Sequence, residues 1–218
     1  MKPPFPIDLQ EKVEASGVVA VLVIDDAKHA VPVARALLKG GISAMELTLR
    51  TPAAIDAIRA IHDEVPEMLA GVGTVIEPAQ IAAVAQAGAS FAVAPGFNRK
   101  VMETAIEAGM PFAPGISTAT DIESALELGC RMLKLFPAEP LGGLNLLKAM
   151  AAPYNHLGLK YVPLGGLNVG NMVSYLKSPL IAALGGSWLA PRDLINGEQW
   201  GQIEANAKAA ADVVKEIR

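Results

Sequence analysis

The sequence alternates short apolar segments with longer stretches rich in alanine, leucine and isoleucine, and the alternation recurs along nearly the whole chain. The apolar segments have the length of buried β-strands, whereas the stretches between them carry apolar residues at the three- and four-residue spacing of helices. Glycine repeatedly stands directly before the next apolar segment, a position typical of helix ends. The predicted strands are Val18–Val23, Ile42–Leu47, Leu69–Val72, Ser90–Ala94, Pro111–Ala113, Arg131–Leu135, Lys160–Val162 and Leu180–Ala183.

Eight strand–helix repeats in 218 residues predict an α/β fold, a single (β/α)8 TIM barrel that covers residues 1–218 as one domain. Strands buried on both faces read as apolar runs, as these do. A short helix at Ile7–Ala15 is expected to precede the first strand. A doubly wound open sheet is the alternative. It would normally carry a glycine-rich turn after the first strand, where this chain has Ile24-Asp25-Asp26-Ala27.

Charge and composition exclude several classes of partner. The chain is 52% hydrophobic and 18% charged with a net charge of −4, so it has no general attraction for nucleic acids or anionic membranes. No apolar run approaches the roughly 18–20 residues that a membrane span needs. The single cysteine, Cys130, excludes an internal disulfide and fits a reducing compartment. We therefore expect a soluble cytoplasmic protein that binds a small molecule.

Lys134 is the one charged residue in the apolar segment Met132-Leu133-Lys134-Leu135-Phe136. On a strand covered on both faces its amine has little water around it, and burial disfavours the charged ammonium. A neutral amine is a nucleophile that can form a Schiff base with a ketone. The alternative is a structural lysine whose nitrogen reaches solvent or pairs with a carboxylate.

The second predicted strand has one polar face, formed by Glu46, Thr48 and Arg50. In a barrel of this kind the chemistry lies at the carboxyl ends of the strands, so these side chains are expected to line its mouth. Glu46 can carry protons, and the planar guanidinium of Arg50 suits a substrate carboxylate. A mutually satisfied Glu–Arg pair that only rigidifies the strand is equally compatible with the pattern.

Glycine-rich turns follow several strands. Gly71-Val72-Gly73-Thr74 ends the third strand, where we expect the glycines to let the backbone approach a ligand and Thr74 to offer a hydroxyl. The alternative is a tight turn with a helix-capping threonine. Gly165-Gly166 follows the seventh strand, and Gly185-Gly186-Ser187 follows the eighth. Glycine pairs at these two loops are typical of the phosphate site of such barrels, built from backbone N–H groups.

Metal chemistry is not expected, because the three histidines, His29, His62 and His156, are scattered without a second ligand at metal-binding spacing. No motif predicts an organic cofactor either.

In combination these motifs resemble the 2-keto-3-deoxy-6-phosphogluconate (KDPG) aldolase family, which includes 4-hydroxy-2-oxoglutarate (KHG) aldolases. The resemblance runs in family order from about Val18 onward. The matching segments are Glu46-Leu47-Thr48-Leu49-Arg50-Thr51, Gly71-Val72-Gly73-Thr74-Val75, Ala94-Pro95-Gly96, Pro114-Gly115-Ile116-Ser117-Thr118, Lys134-Leu135-Phe136-Pro137-Ala138-Glu139 and Gly185-Gly186-Ser187-Trp188-Leu189.

The resemblance implies a class I aldolase that needs no cofactor and cleaves KDPG to pyruvate and glyceraldehyde 3-phosphate, with KHG as a further substrate. It implies a homotrimer. It also implies that Lys134 forms the Schiff base, that Glu46 is the acid/base residue, and that Arg50 and Thr74 bind the pyruvyl carboxylate. Finally, it implies that Pro95 and Phe136 wall the pocket, and that phosphate is held by Gly165, Gly166, Gly185, Gly186 and Ser187.

One position departs from the family pattern. Leu164 stands where the family usually has a threonine before the Gly-Gly pair of the seventh strand. The lost hydroxyl would face the distal end of the substrate, so the preferred sugar acid stays open, including the galactonate epimer. Two other classes of function also stay open, a phosphate-binding isomerase or epimerase and a non-catalytic sugar-phosphate sensor.

Overall fold

The computed structural model describes residues 3–218, which form an α/β fold around curled parallel sheets. The strands are β1 (Val18–Leu22), β2 (Ala44–Thr48), β3 (Leu69–Gly73), β4 (Phe91–Val93), β5 (Phe112–Ala113), β6 (Gly115–Ile116), β7 (Met132–Leu135), β8 (Lys160–Pro163) and β9 (Leu184–Gly186). The helices are α1 (Ile7–Ser16), α2 (Ala30–Lys39), α3 (Ala54–Glu64), α4 (Pro78–Gln86), α5 (Arg99–Glu107), α6 (Ala119–Glu127), α7 (Ala138–Leu141), α8 (Gly143–Ala151), α9 (Val169–Leu176), α10 (Arg192–Asn196) and α11 (Trp200–Ile217).

The strands form a six-stranded sheet with the order β5-β4-β3-β2-β1-β9 and a three-stranded sheet with the order β6-β7-β8. All the pairings are parallel. The two sheets are separated at Pro114, which has no N–H for the ladder. On the other side, isolated parallel bridges join Tyr161 to Ile181 and Leu164 to Gly185. The predicted parallel alternation of strands and helices is therefore confirmed.

The prediction of the last strand was wrong. Leu180–Ala183 lies before β9, which begins at Leu184 and pairs with Val18 of β1. The predicted segment and β9 differ because hydrogen bonding to β1, and not hydrophobicity alone, decides which residues form the strand. The glycines that follow complete the strand, since Gly185 and Gly186 pair with Val19 and Ala20.

Helix starts follow from local sequence. Asn98 caps α5 by accepting hydrogen bonds from the N–H groups of Lys100 and Val101. Thr118 and Asp121 form a reciprocal capping box at α6. Pro78 occupies the first turn of α4, where the missing N–H of proline costs no helical hydrogen bond. No helix among residues 3–218 is long and apolar enough to cross a membrane.

Two apolar clusters flank the strands. The larger one lies between the sheets and the surrounding helices. The smaller one lies inside the curl of the sheets and includes Phe5, Leu9 and Val13 from the N-terminal segment. Phe5 packs on Phe91 with ring centroids 5.8 Å apart, and the Pro4 carbonyl accepts a hydrogen bond from Phe112 of β5. Helix α1, predicted at Ile7–Ala15 and observed at Ile7–Ser16, thus covers the amino ends of the strands.

Candidate active site

The centre of the site is a buried ion pair between β2 and β7. Lys134 Nζ lies 2.9 Å from Glu46 Oε1 and 3.2 Å from Oε2, and the two residues are 6% and 3% exposed. Their strands are not neighbours, since β2 is in the larger sheet and β7 in the smaller one. Both side chains project into the interior of the curl from opposite walls. A buried pair this close is arranged for proton exchange between amine and carboxylate.

Glycine on β3 makes room for the Glu46 carboxylate. A Cβ at Gly73 would lie 2.6 Å from Glu46 Cδ and 2.8 Å from Cγ, well inside contact distance. At Gly71 the space that a Cβ would occupy is filled by the ring of Phe91. The interpretation of these glycines as a surface for close ligand approach was therefore wrong, because neighbouring side chains occupy the space.

Beneath the pair the interior is apolar. A small cavity of about 30 Å³ is lined by Glu46, Lys134 and a set of apolar side chains. The apolar set is Phe5, Val13, Val19, Phe91, Val93, Ala113, Met132, Val162 and Leu164. Water therefore reaches the pair from the carboxyl ends of the strands, where the mouth lies.

Above the pair, a cavity of about 260 Å³ opens at the carboxyl ends of the strands. Its wall contains six predicted site residues, the Thr48 side chain from the same strand as Glu46, and also Val21 and Leu164. The six site residues are Glu46, Arg50, Thr74, Pro95, Lys134 and Phe136. The ring centroid of Phe136 lies 5.9 Å from Lys134 Nζ. The six predicted catalytic, carboxylate-binding and wall-forming residues are thus brought together.

Arg50 is held in place by Thr48 and not by Glu46. The Thr48 hydroxyl donates to the Leu22 carbonyl at 3.0 Å and accepts from Arg50 Nε, also at 3.0 Å. The terminal amino groups of Arg50 make no hydrogen bond within residues 3–218. The alternative of a Glu46–Arg50 pair is therefore wrong, since Glu46 pairs with Lys134.

Thr74 adopts a left-handed backbone conformation with φ 64°. A β-branched residue rarely occupies this region, which costs of order 1–3 kcal/mol and is held by its surroundings. The strain brings its side chain to the wall of the reaction cavity directly after β3.

The two predicted phosphate loops are neighbours, because Leu164 bridges Gly185 just before both turns. Gly165 and Gly166 have φ of 97° and 82°, which glycine adopts without cost. Their N–H groups, and that of Ser187, donate to no acceptor among the residues described. Gly185 and Gly186 are buried and face Leu164 and Trp188. Leu164 Cδ1 would lie 2.6 Å from a Cβ added at Gly185, and Trp188 Cζ3 would lie 2.8 Å from one added at Gly186.

Ser187 lies in the wall of a second cavity, of about 340 Å³, beside the reaction cavity. This wall also contains Arg192, which the sequence analysis missed. The sequence signal that could have found it is a cation five residues after Ser187, at the first residue of α10. Arg192 forms an ion pair with Asp25 after β1.

No cluster of three or more His, Cys, Asp or Glu side chains that could hold a metal ion occurs in residues 3–218. Cys130 is buried and its thiol is free. Burial raises its pKa to about 12, so the thiolate is strongly disfavoured at neutral pH.

The fold is a parallel α/β fold, and a shielded amine and carboxylate lie together at its strand ends. These two features define a class of enzyme that forms imines with small carbonyl compounds. Comparison with known proteins narrows the class. Residues 9–206 match the sequence model described as "Aldolase: KDPG and KHG aldolase". The chain belongs to the KDPG and KHG aldolase family.

Relatives match over most of their length. The KHG/KDPG aldolase of Escherichia coli K12 is 41% identical over 198 residues, which cover 91% of this chain and 92% of the relative. The KDPG aldolase of Legionella pneumophila, solved with pyruvate captured as a covalent carbinolamine, is 37% identical with a TM-score of 0.87, covering 92% of this chain and 97% of that one. The 2-keto-3-deoxy-6-phosphogluconate aldolase of Zymomonas mobilis ZM4, solved with 3-phosphoglycerate, is 36% identical with a TM-score of 0.84, covering 93% and 94%.

Proposed function

We propose that this protein is a class I aldolase that cleaves KDPG reversibly to pyruvate and glyceraldehyde 3-phosphate, with KHG as a further substrate. The observation that carries the proposal is the buried contact of 2.9 Å between Lys134 Nζ and Glu46. A lysine with this environment needs no metal or organic cofactor to activate a 2-keto acid. The covalent pyruvate adduct of the Legionella relative supports the same chemistry.

The reaction begins with proton transfer from the ammonium of Lys134 to Glu46, which leaves a neutral amine facing the cavity. The amine attacks the C2 ketone, and Glu46 returns the proton as the carbinolamine loses water. The protonated imine then accepts the electron pair of the C3–C4 bond when a base, again Glu46, removes the proton of the C4 hydroxyl. The aldehyde leaves, and protonation of the enamine followed by hydrolysis releases pyruvate.

Arg50 and Thr74 are proposed to orient the substrate through its carboxylate. The Thr48 hydroxyl fixes Nε of Arg50, so the terminal guanidinium groups present a preorganised fork to the cavity. A fixed carboxylate makes the attack by Lys134 effectively intramolecular. Pro95 and Phe136 restrict the open side of the same cavity.

The phosphate is proposed to bind at the paired loops, with N–H groups of Gly165, Gly166 and Ser187 as donors and Gly185 and Gly186 keeping the two loops close. The bridge between Leu164 and Gly185 and the positive φ of Gly165 and Gly166 support this placement. The Zymomonas relative was solved with a phosphorylated ligand, which fits the same class of substrate.

The architecture and assembly are also proposals. We propose that the two sheets close into one (β/α)8 barrel forming a single domain, supported by the bridges to Ile181 and Gly185 and by the short break at Pro114.

A homotrimer follows from the family resemblance, and light scattering should give about three times the chain mass of 22.7 kDa. A reducing cytoplasmic location is supported by the free buried Cys130.

Borohydride trapping tests the proposed chemistry. Wild-type protein incubated with pyruvate and borohydride should gain one reduced pyruvyl group on the peptide that contains Lys134. Glu46→Gln should slow turnover by roughly two or more orders of magnitude, since general acid–base catalysis contributes about 10²–10⁴-fold. Absence of any adduct on the wild-type protein would leave an isomerase or a sugar-phosphate sensor and refute the aldolase.

Lys134→Ala should abolish both the adduct and turnover. This substitution leaves Glu46 buried without its partner, so its fold is checked by circular dichroism. Lys134→Met fills the space of the side chain and serves as the second variant. Turnover near the wild-type rate in either folded variant contradicts the scheme.

A further inference from the structure

The second cavity adjoins the reaction cavity. The two share Val21 and Arg50 in their walls, so the side chain of Arg50 borders both the space above Lys134 and the space beside the turn after β9. The rest of its lining is Val23, Ser187, Trp188, Ala190, Pro191 and Arg192. The second cavity is therefore the neighbouring space into which the distal end of a substrate held at Lys134 would extend past Arg50.

Arg192 is a fixed cation in that wall. Its Nε donates to Asp25 Oδ2 at 2.6 Å, and its Nη2 donates to the other oxygen of the same carboxylate. Asn196 also donates to Asp25, at 2.8 Å. The hydrogen bonds from Arg192 and Asn196 lower the pKa of Asp25 to about 2, so the carboxylate that holds the guanidinium stays charged at neutral pH.

The guanidinium of Arg192 has hydrogen-bond donors that Asp25 does not use. Arginine has five N–H groups, and Asp25 engages one edge of the fork through Nε and Nη2. Nη1 has no acceptor within residues 3–218, and the side chain of Arg192 is 59% exposed. The ion pair therefore leaves a preorganised donor group at the cavity wall, where an anion can reach it.

Where Leu164 forms the wall of the reaction cavity, the wall offers no polar side chain. Leu164 is buried in the wall of the reaction cavity and its side chain fills the space over Gly185. Polar contacts for the distal end of a substrate have to come from the backbone of the paired loops or from the turns after β1 and β9. In the wall of the second cavity, Ser187 contributes a hydroxyl from the turn after β9, and Arg192 contributes a guanidinium from the start of α10.

We propose that Arg192 is a specificity-determining residue that binds the distal phosphate of the substrate together with Ser187. The inference rests on the proposed aldolase function and names the anion anchor for it. An arginine fork matches the oxygens of a phosphate and makes charge-assisted hydrogen bonds. The chain has a net charge of −4, so a local cation of this kind offsets the repulsion that a phosphate otherwise meets.

Steady-state kinetics of two substrates test the role. KDPG and its unphosphorylated analogue, 2-keto-3-deoxygluconate, differ only at the group that Arg192 is proposed to bind. In Arg192→Ala the ratio of kcat/KM for KDPG to kcat/KM for the analogue should fall roughly tenfold, as expected for one charged hydrogen bond. Arg192→Lys should recover part of the ratio, and Asp25→Asn should lower it by freeing the guanidinium.

The matched control is Arg59→Ala, which removes an exposed ion pair of 2.8 Å with Asp56 on α3. Its ratio should equal that of the wild type. An unchanged ratio in Arg192→Ala overturns the proposal, and so does an equal loss for both substrates, which would mark a general role at the mouth. Wild-type pyruvate trapping is measured in parallel. Loss of that adduct refutes the aldolase itself, whereas an intact adduct with an unchanged ratio refutes only the role of Arg192.

Discussion

Gly73→Ala should disable the site although the substitution adds only a single methyl group, at the last residue of β3. The added Cβ would lie 2.6 Å from Glu46 Cδ, whereas carbon atoms in contact normally lie about 3.5 Å apart. Glu46 Oε1 would lie closer still, so Glu46 or strand β3 has to move by more than about 1 Å. Movement of the carboxylate away from the new methyl group disturbs its 2.9 Å contact with Lys134.

The size of the effect follows from that displacement. A misplacement of about 1 Å can cost roughly 100-fold in rate, so we expect kcat/KM to fall by about that factor. Overpacking a well-filled interior costs about 1–3 kcal/mol of stability, and complete rupture of a buried ion pair costs about 3–5 kcal/mol. The free energy of unfolding should fall within the first of these ranges if the pair is strained but not broken.

The assay couples pyruvate release to NADH oxidation by lactate dehydrogenase, and urea unfolding measures stability. Gly96→Ala is the matched control, because an added Cβ there meets no atom within 4 Å in a turn after the neighbouring strand. The control should keep the wild-type stability. Activity of Gly73→Ala within twofold of the wild type would show that Glu46 does not need its present position, and the reasoning would fail.

Three further predictions follow from individual side chains. Phe5→Ala should lower the free energy of unfolding by about 3–5 kcal/mol because it empties the space against Phe91, whereas Ile7→Ala, 64% exposed on the same segment, should change it by less than about 0.5 kcal/mol. The pKa of Asp25 is lowered from 3.8 to about 2, so its ion pair stabilises the fold above pH 4 and this contribution is lost as the pH falls towards 2. Asp25→Asn should remove that part of the acid dependence in a pH series of thermal unfolding, and an identical series for both proteins would contradict it. Cys130 should react with iodoacetamide at pH 8 only after denaturation, since burial raises its pKa to about 12, and rapid labelling of the native protein would contradict this burial.

Much of the fold was predictable because the strands are covered on both faces. Such strands appear as apolar runs, and the predicted segments around β1 to β4 and β7 to β8 overlap the observed ones. The prediction of a strand at Leu180–Ala183 was wrong because this segment is apolar through packing in the interior and not through pairing with β1. Ala182 and Ala183 pack in the interior cluster, while the ladder with β1 begins at Leu184.

The site was predictable where polar residues stand in apolar strands, as Lys134 does alone and as Glu46 does on the polar face of the second strand. Their pairing was not predictable, because the residues are 88 positions apart and lie on strands of different sheets. Thr48 as the support of Arg50 and Gly73 as the space for Glu46 likewise depend on contacts between strands.

The amino-acid sequence by itself determined the order of strands and helices and the chemical groups available at the strand ends, because local hydrophobic periodicity and turn residues encode both. Only the tertiary structure decided which of these groups face each other. Curling of the parallel sheets sets Lys134 against Glu46, and it sets Arg192 against Asp25 across a separation of 167 residues. Contacts of this kind arise from strand register and closure of the curl, which no local pattern contains.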